Sequence, residues 1–90
     1  MYALEYDKEA LWDIALLKKS NKAAYAKLQQ LLLELQLHPR IGTGRPEPLK
    51  YKGRQLYSRR ITKKHRLVYQ IVDDRVIVLV LSVSGHYNDK

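Results

Sequence analysis

The sequence predicts an α+β fold in which an N-terminal strand and a two-helix hairpin pack on one face of a small antiparallel sheet. Apolar residues at helical spacing fill most of the first 38 positions, whereas strand-like alternation and β-branched residues dominate after position 55. The chain has 90 residues, which is the size of one domain, so we expect residues 1–90 to form a single unit. Helices and strands that are segregated along the chain favour helices packed on one side of a sheet.

The first half predicts one short strand followed by two helices. Residues 2–6 alternate as a strand does. A helix is expected over about 8–18, with Asp7 as its N-cap. A second helix is expected after Asn21, and it should end near His38 because a proline follows. The short break between the helices predicts an antiparallel hairpin whose apolar face covers the sheet.

The second half predicts a loop followed by strands. Residues 39–48 contain two glycines and three prolines, which is typical of a loop. Four strands are expected after it, over 49–51, 55–61, 65–72 and 76–83. Turns at 62–64 and at Asp73-Asp74 join the longer three. The last strand is almost wholly apolar on both faces, so we expect it to lie inside the sheet.

Alternation within the long strands assigns side chains to two faces. In the first long strand Ser58 and Arg60 share one face and Arg59 lies on the other. In the second, Arg66 lies on the face opposite Tyr69. One face of the sheet meets the helices, and we expect the other to be exposed and rimmed by basic residues.

The net charge of +8 comes entirely from one half of the chain. Residues 1–38 contain five lysines and five acids, whereas residues 39–90 contain twelve Lys or Arg and four acids. Ten of these cations lie between Arg40 and Arg66, together with one acid, Glu47, held between two prolines. This segment predicts a surface for a polyanion, and it lacks the helical apolar spacing of a membrane-binding helix.

Composition excludes several other kinds of protein. There is no cysteine, which excludes disulfides and thiolate chemistry, and the histidines lack metal-ligand spacing, so we expect neither a metal nor a cofactor. The first 15 residues are too acidic for a signal peptide, and the aliphatic run over 76–81 is too short to span a bilayer. We therefore expect a cytoplasmic protein without a membrane anchor.

Three side chains of the basic half have the chemistry needed to cleave RNA: Glu47, Arg66 and His86. Cleavage needs a base for the 2′-hydroxyl proton, an acid for the leaving 5′-oxygen, and a cation for the charge that builds on the phosphate. Arginine suits the last role because its planar fork donates two hydrogen bonds at once. Taken alone, each residue also fits a plain surface position: a loop acid, a solvated strand arginine and a near-terminal histidine.

Four sequence blocks carry a resemblance to a known family. They are GRPEPLK at 44–50, YSRRIT at 57–62, HRLVY at 65–69 and HY at 86–87. With these blocks the chain strongly resembles the Txe/YoeB family of bacterial toxins, within the wider RelE-like superfamily. The family fold is a small α+β sheet of the microbial-ribonuclease kind, which agrees with the predicted architecture.

The resemblance implies an endoribonuclease that cuts mRNA in the ribosomal A site and so arrests translation, and it implies a YefM-type antitoxin as partner. Cleavage by the three side chains needs no metal, and we expect a 2′,3′-cyclic phosphate because the substrate's own hydroxyl attacks. The net charge of +8 predicts that the antitoxin is acidic, and a homodimer is a further candidate assembly. The resemblance assigns the catalytic roles to Glu47, Arg66 and His86. Further RNA contacts are expected from five residues: Lys50, Lys52, Arg59, Arg60 and Tyr87.

Two other functions stay open at the level of sequence. ParE-like toxins share the superfamily fold but inhibit DNA gyrase without this catalytic set, and a plain RNA-binding module would also carry a basic face. The presence of Glu47, Arg66 and His86 together favours the nuclease.

Overall fold

Five strands and two helices follow one another in the computed structural model, which describes residues 1–50 and 53–84. In chain order they are β1 (Ala3–Tyr6), α1 (Lys8–Ser20), α2 (Lys22–Leu37), β2 (Glu47–Leu49), β3 (Leu56–Arg60), β4 (Arg66–Val72) and β5 (Ile77–Ser84). This confirms the predicted α+β class, with the long strands placed to within one residue of their predicted ends.

Each helix begins where a short polar side chain accepts a hydrogen bond from a backbone amide of the first turn. The Asp7 carboxylate accepts a hydrogen bond from the Lys8 amide at 2.9 Å, and the Asn21 side chain accepts one from the Ala24 amide at 3.0 Å. The Asn21 amide also donates to the Leu17 carbonyl, so one residue ends α1 and starts α2. In the described part of the chain, no helix is both long and apolar enough to cross a membrane.

The sheet is mixed, which corrects the prediction of a wholly antiparallel one. Its strand order is β1-β5-β4-β3-β2, and the pair β1–β5 is parallel while the other three pairs are antiparallel. Parallel neighbours need a long connection, and here both helices and three strands lie between the two paired strands. Alternation predicts that β1 is a strand but not which strand it pairs with. The prediction that the last strand lies inside the sheet is confirmed.

Two local predictions about the connections are wrong. The hairpin turn after β4 is a 3₁₀ turn over Asp73–Arg75 followed by Val76 in the left-handed region, instead of a tight two-residue turn. β2 begins at Glu47, two residues before the predicted strand. The two prolines suggested a loop there, but β2 lies at the edge of the sheet, where proline is tolerated.

The hydrophobic core lies between the helices and one face of the sheet. α2 contributes Ala24, Leu28, Leu31 and Leu35, and the sheet contributes Leu67, Tyr69, Ile71, Val78, Val80 and Val83. Ile61, which directly follows β3, packs with them. In β4 the core side chains Leu67, Tyr69 and Ile71 share one face, as the alternation of this strand predicts. We call the opposite side of the sheet the distal face.

A bulge in β5 changes which of its side chains reach the distal face. Tyr69 pairs with Val80 and Val68 pairs with Ser82, which leaves Leu81 without a partner. Val80 and Val83 both belong to the core, so the alternation shifts by one residue at this point. As a result Ser82 lies on the distal face.

A cluster of hydrogen bonds around Asp73 joins the N-terminus, the loop after α2, and the start of β3. Arg40 donates to the Asp73 carboxylate at 2.6 Å, the Tyr2 hydroxyl donates at 2.6 Å, and Gln55 donates at 3.1 Å. These bonds, that of Arg40 foremost, lower the pKa of Asp73 to about 2, and Asp73 in turn raises the pKa of Arg40.

Candidate active site

One row of side chains crosses four strands on the distal face. Glu47 pairs with Ser58, Ser58 with Val68, and Val68 with Ser82, so all four side chains point to the same side of the sheet. The centre of this row is buried, since Ser58 and Val68 are 0% exposed. The prediction of an exposed distal face therefore holds for its rim and not for its centre.

Glu47 and Arg66 come together at the rim of this face. Arg66 Nη1 lies 3.9 Å from Glu47 Oε1 and 3.5 Å from the Ser58 hydroxyl, to which it donates. Both side chains reach solvent, with 66% of Glu47 and 35% of Arg66 exposed. The distance between the charged groups is longer than a hydrogen bond, so the carboxylate keeps its lone pairs available for a proton.

The chain before Glu47 is shaped by two residues in the left-handed region. Gly44 has φ +85°, and a Cβ at this position would lie 2.9 Å from the Arg60 carbonyl oxygen. Arg45 follows with φ 54°, which is uncommon for a residue with a side chain. The Gly44 carbonyl accepts a hydrogen bond from the Arg60 amide at 2.7 Å. This turn places Glu47 opposite Ser58.

Arg60 adds a second cation beside Arg66. The two are direct cross-strand partners at the end of β3 and β4, and Arg60 is exposed. Like charges that face each other across a sheet destabilise it, and no carboxylate of the described residues lies within ion-pair distance of Arg60. An anion bound between the two guanidinium groups would remove this repulsion. Lys50, which follows β2, is exposed as well.

The prediction that Arg59 contacts RNA is wrong. Arg59 is 0% exposed and lies on the helix side of the sheet, where it forms an ion pair of 2.8 Å with Glu34. All of its N–H groups donate to acceptors inside the protein, so none is left for a phosphate. Strand alternation in the sequence already places Arg59 and Arg60 on opposite faces of the sheet, so the two could not both lie on one exposed face. The assignment of both residues to RNA conflicted with this pattern.

Three of the predicted site residues lie outside the described residues: Lys52, His86 and Tyr87. β5 is described as far as Ser84, whose backbone pairs with Arg66. Among the described residues, no group of His, Cys, Asp and Glu side chains is placed to hold a metal ion.

Two serines of the distal face were not among the predicted site residues. Ser58 accepts the hydrogen bond from Arg66, and the strand alternation that placed it beside Arg60 could have identified it. The buried Ser82 hydroxyl finds no hydrogen-bond partner within residues 1–50 and 53–84. Its position depends on the β5 bulge, for which the sequence carries no clear signal.

A comparison with protein families decides the affiliation of the chain. The family model described as "YoeB-like toxin of bacterial type II toxin-antitoxin system" matches residues 6–87. The chain belongs to this YoeB-like toxin family. The expectation drawn from the GRPEPLK, YSRRIT and HRLVY blocks is thereby confirmed.

Individual YoeB and RelE toxins support the same affiliation. The chain is 38% identical over 80 residues to Toxin YoeB of Escherichia coli strain K12, covering 88% of this chain and 93% of the relative. It is 33% identical over 87 residues to the mRNA interferase toxin RelE of the same strain, covering 92% and 81%.

Solved YoeB structures share the fold. The YoeB dimer from Staphylococcus aureus superimposes with a TM-score of 0.82 at 32% identity, covering 96% of this chain and 98% of that one. The heterotetrameric YoeB–YefM toxin–antitoxin complex from S. aureus gives a TM-score of 0.78 at 30% identity, covering 97% and 99%. The mixed five-stranded sheet is therefore the architecture of this toxin fold.

Proposed function

We propose that this YoeB-family toxin is an endoribonuclease that cleaves mRNA on the bacterial ribosome and so arrests translation. The observation that carries the proposal is the pairing of Glu47 with Arg66 at 3.9 Å on the rim of the distal face, with Arg60 beside them. A base and two cations at one solvent-accessible point supply two of the three functions that phosphodiester cleavage by an internal hydroxyl requires, and the third is an acid for the leaving oxygen.

The proposed reaction uses the substrate's own 2′-hydroxyl as nucleophile. Glu47 takes the proton of that hydroxyl, the 2′-oxygen forms a bond to phosphorus, and the bond from phosphorus to the 5′-oxygen breaks. Arg66 and Arg60 stabilise the negative charge that grows on the non-bridging oxygens. His86, placed in this role by its position in the sequence motif, gives a proton to the departing 5′-oxygen. The products are a 2′,3′-cyclic phosphate and a free 5′-hydroxyl.

The proposed partners follow from charge and from the relatives. The E. coli RelE relative is named an mRNA interferase, and an S. aureus YoeB toxin is bound to YefM in its complex. A net charge of +8, all in the half that holds Glu47 and Arg66, favours an acidic antitoxin that neutralises this surface while it blocks the substrate. The dimer of the S. aureus toxin makes a homodimer a further candidate assembly.

Removal of the proposed base is the first test. Glu47→Gln keeps the size of the side chain but removes the proton acceptor, and the cleavage rate on mRNA-programmed ribosomes should fall by about 10²–10⁴-fold. Ribosome binding, measured by co-sedimentation, should stay close to wild type. Glu5→Gln is the matched control, because Glu5 is an exposed acid at the other edge of the sheet. An unchanged cleavage rate in Glu47→Gln would remove Glu47 from the mechanism.

Removal of the proposed cation is the second test. Arg66→Ala should lower the rate severely, because the lost stabilisation grows in the transition state. Arg75→Ala removes one exposed positive charge at the opposite end of β4 and should leave the rate near wild type. Equal losses in both variants would show that net charge, and not this position, governs activity.

A modified message tests the chemistry itself. A single 2′-deoxy nucleotide at the cut position should abolish cleavage there and leave ribosome binding intact. Cleavage at the blocked position would show that the 2′-hydroxyl is not the nucleophile. Growth arrest with intact mRNA and inhibited gyrase supercoiling would point instead to the non-enzymatic alternative.

A further inference from the structure

The most completely bonded side chain of the described structure is a buried arginine outside the candidate active site. Arg59 is 0% exposed and uses all five N–H groups. Its acceptors are the Tyr69 hydroxyl at 3.0 Å, Glu34 Oε1 at 2.8 Å, and the carbonyls of His38, Ile41 and Thr43 at 2.5, 2.8 and 3.2 Å.

Three of these acceptors belong to one segment without helix or strand, which we call the α2–β2 loop (residues 38–46). Backbone carbonyls outside regular structure need donors from elsewhere, and Arg59 supplies them to three residues of this loop. Glu34 holds the same loop from the other side, because it accepts hydrogen bonds from the amide and the hydroxyl of Thr43 at 2.9 and 2.6 Å. Hydrogen bonds from Thr43, together with the Arg59 guanidinium, lower the pKa of Glu34, which keeps the carboxylate charged.

The α2–β2 loop leads directly to Glu47. The Arg60 amide donates to Gly44, the next residue after the arginine-bound segment, so neighbouring residues of β3 hold neighbouring residues of the loop. β2 itself has three residues, lies at the sheet edge and contains Pro48, which has no N–H to donate. So short a strand contributes few hydrogen bonds of its own, and the position of Glu47 depends on the loop before it.

We infer that Arg59 is a positioning residue for the proposed general base: it fixes the α2–β2 loop and thereby sets the place of Glu47 opposite Arg66. The inference rests on the proposed function, in which Glu47 accepts the 2′-hydroxyl proton. Arg59 itself is buried on the helix side of the sheet and touches neither substrate nor Glu47. Its planar fork is needed because five acceptors surround it, and a lysine has three donors.

Amide hydrogen exchange tests the positioning without any need for activity. In Arg59→Lys, which keeps the charge, protection of the Arg60 amide should fall by roughly tenfold or more, because its acceptor Gly44 is released with the loop. The Asp7 amide, which donates to Val80 between β1 and β5, should keep its wild-type protection. Equal loss at both amides would indicate general destabilisation, and no loss at either would show that the loop is held without Arg59; both results overturn the inference.

Single-turnover cleavage at increasing toxin concentration is the second arm. Arg59→Lys should lower the maximal rate by about 10–100-fold, as expected for a displaced catalytic group, while the half-saturating concentration changes by less than about two-fold. Leu17→Ala, a truncation in the core contributed by α1, is the control for lost stability and should leave the maximal rate unchanged at a temperature where it is folded. A higher half-saturating concentration with an unchanged maximal rate would show that Arg59 acts in ribosome binding, and this result would overturn the inference.

A milder variant covers the case in which Arg59→Lys does not fold. Glu34→Gln is isosteric and lies at a partly exposed position, and it should reproduce both effects in the same direction at smaller size. If Glu34→Gln kept both the wild-type protection of the Arg60 amide and the wild-type maximal rate, this would count against the proposed link between the Arg59 network and Glu47. Should the wild-type protein itself fail to cleave mRNA, the proposed function is lost, while the exchange arm still decides whether Arg59 holds the segment that carries Glu47.

Discussion

Replacing Tyr69 by phenylalanine removes one oxygen atom from the centre of the structure and leaves its volume almost unchanged. The Tyr69 hydroxyl is buried, donates to the Pro39 carbonyl at 2.7 Å, and accepts from Arg59 Nε at 3.0 Å. Burial raises the pKa of Tyr69, so the hydroxyl stays protonated and able to donate. The substitution therefore leaves one buried acceptor and one buried charged donor without partners.

The expected loss follows from these two orphaned groups. A buried polar group left unsatisfied costs about 1–3 kcal/mol, and more where one partner is charged, so Tyr69→Phe should lower the free energy of unfolding by about 2–5 kcal/mol. Domains of this size are stable by roughly 5–15 kcal/mol, so the loss is a large fraction of the total. For a domain of about 90 residues it corresponds to a fall in Tm of roughly 10–30 °C.

Urea unfolding followed by circular dichroism measures this loss, and the chain provides its own control. Tyr57 stacks on Tyr69 with ring centroids 6.0 Å apart, but its hydroxyl forms no hydrogen bond with the described residues. Tyr57→Phe removes the same atom from the neighbouring ring and should change the free energy of unfolding by less than about 0.5 kcal/mol. If Tyr69→Phe were as stable as Tyr57→Phe, the network around Arg59 would not be formed in solution.

Two further predictions concern pH and backbone strain. Because Arg40 above all lowers the pKa of folded Asp73 to about 2 from an ordinary 3.8, the stability that Asp73 contributes is fully present above pH 4 and lost as the pH falls towards 2. Asp73→Asn should flatten the pH dependence of urea unfolding within that window, and an unaltered profile would contradict the pKa assignment. Gly44→Ala should lower the free energy of unfolding more than Gly53→Ala. Both glycines have positive φ, but only at Gly44 would the new Cβ approach backbone, lying 2.9 Å from the Arg60 carbonyl oxygen. Gly53→Ala should cost about 1–2 kcal/mol from its φ alone, and equal losses at the two positions would argue against the close approach at Gly44.

Local sequence patterns predict much of the fold. The cap at Asp7, the helical spacing of the apolar residues in the first half, and the alternation of β3 and β4 each depend on neighbours within a few residues, so their predictions agree with the structure. The same alternation placed Arg60 on the face opposite Arg59, and Arg66 on the face opposite Tyr69. The family could also be predicted from the sequence, because its motifs are contiguous blocks.

Long-range pairing decided the rest. The parallel pairing of β1 with β5 joins segments at opposite ends of the chain, and alternation carries no information about which strands become neighbours. The bulge at Leu81 moves Ser82 to the distal face only because β4 fixes the register beside it.

The charge of a side chain is local information, but its use depends on what surrounds it in three dimensions. From sequence, Arg59 and Arg60 are adjacent cations in a basic segment that predicts RNA binding. The tertiary structure separates them, because neighbouring residues of a strand point to opposite faces: Arg60 reaches solvent beside Arg66, and Arg59 enters the protein among five oxygen acceptors. The sequence determined that this half of the chain is basic and carries the family motif. Only packing of α2 and its following loop against β3 decided which arginine stabilises the fold and which remains available to a phosphate, since a buried guanidinium is stable only where acceptors converge on it from distant parts of the chain.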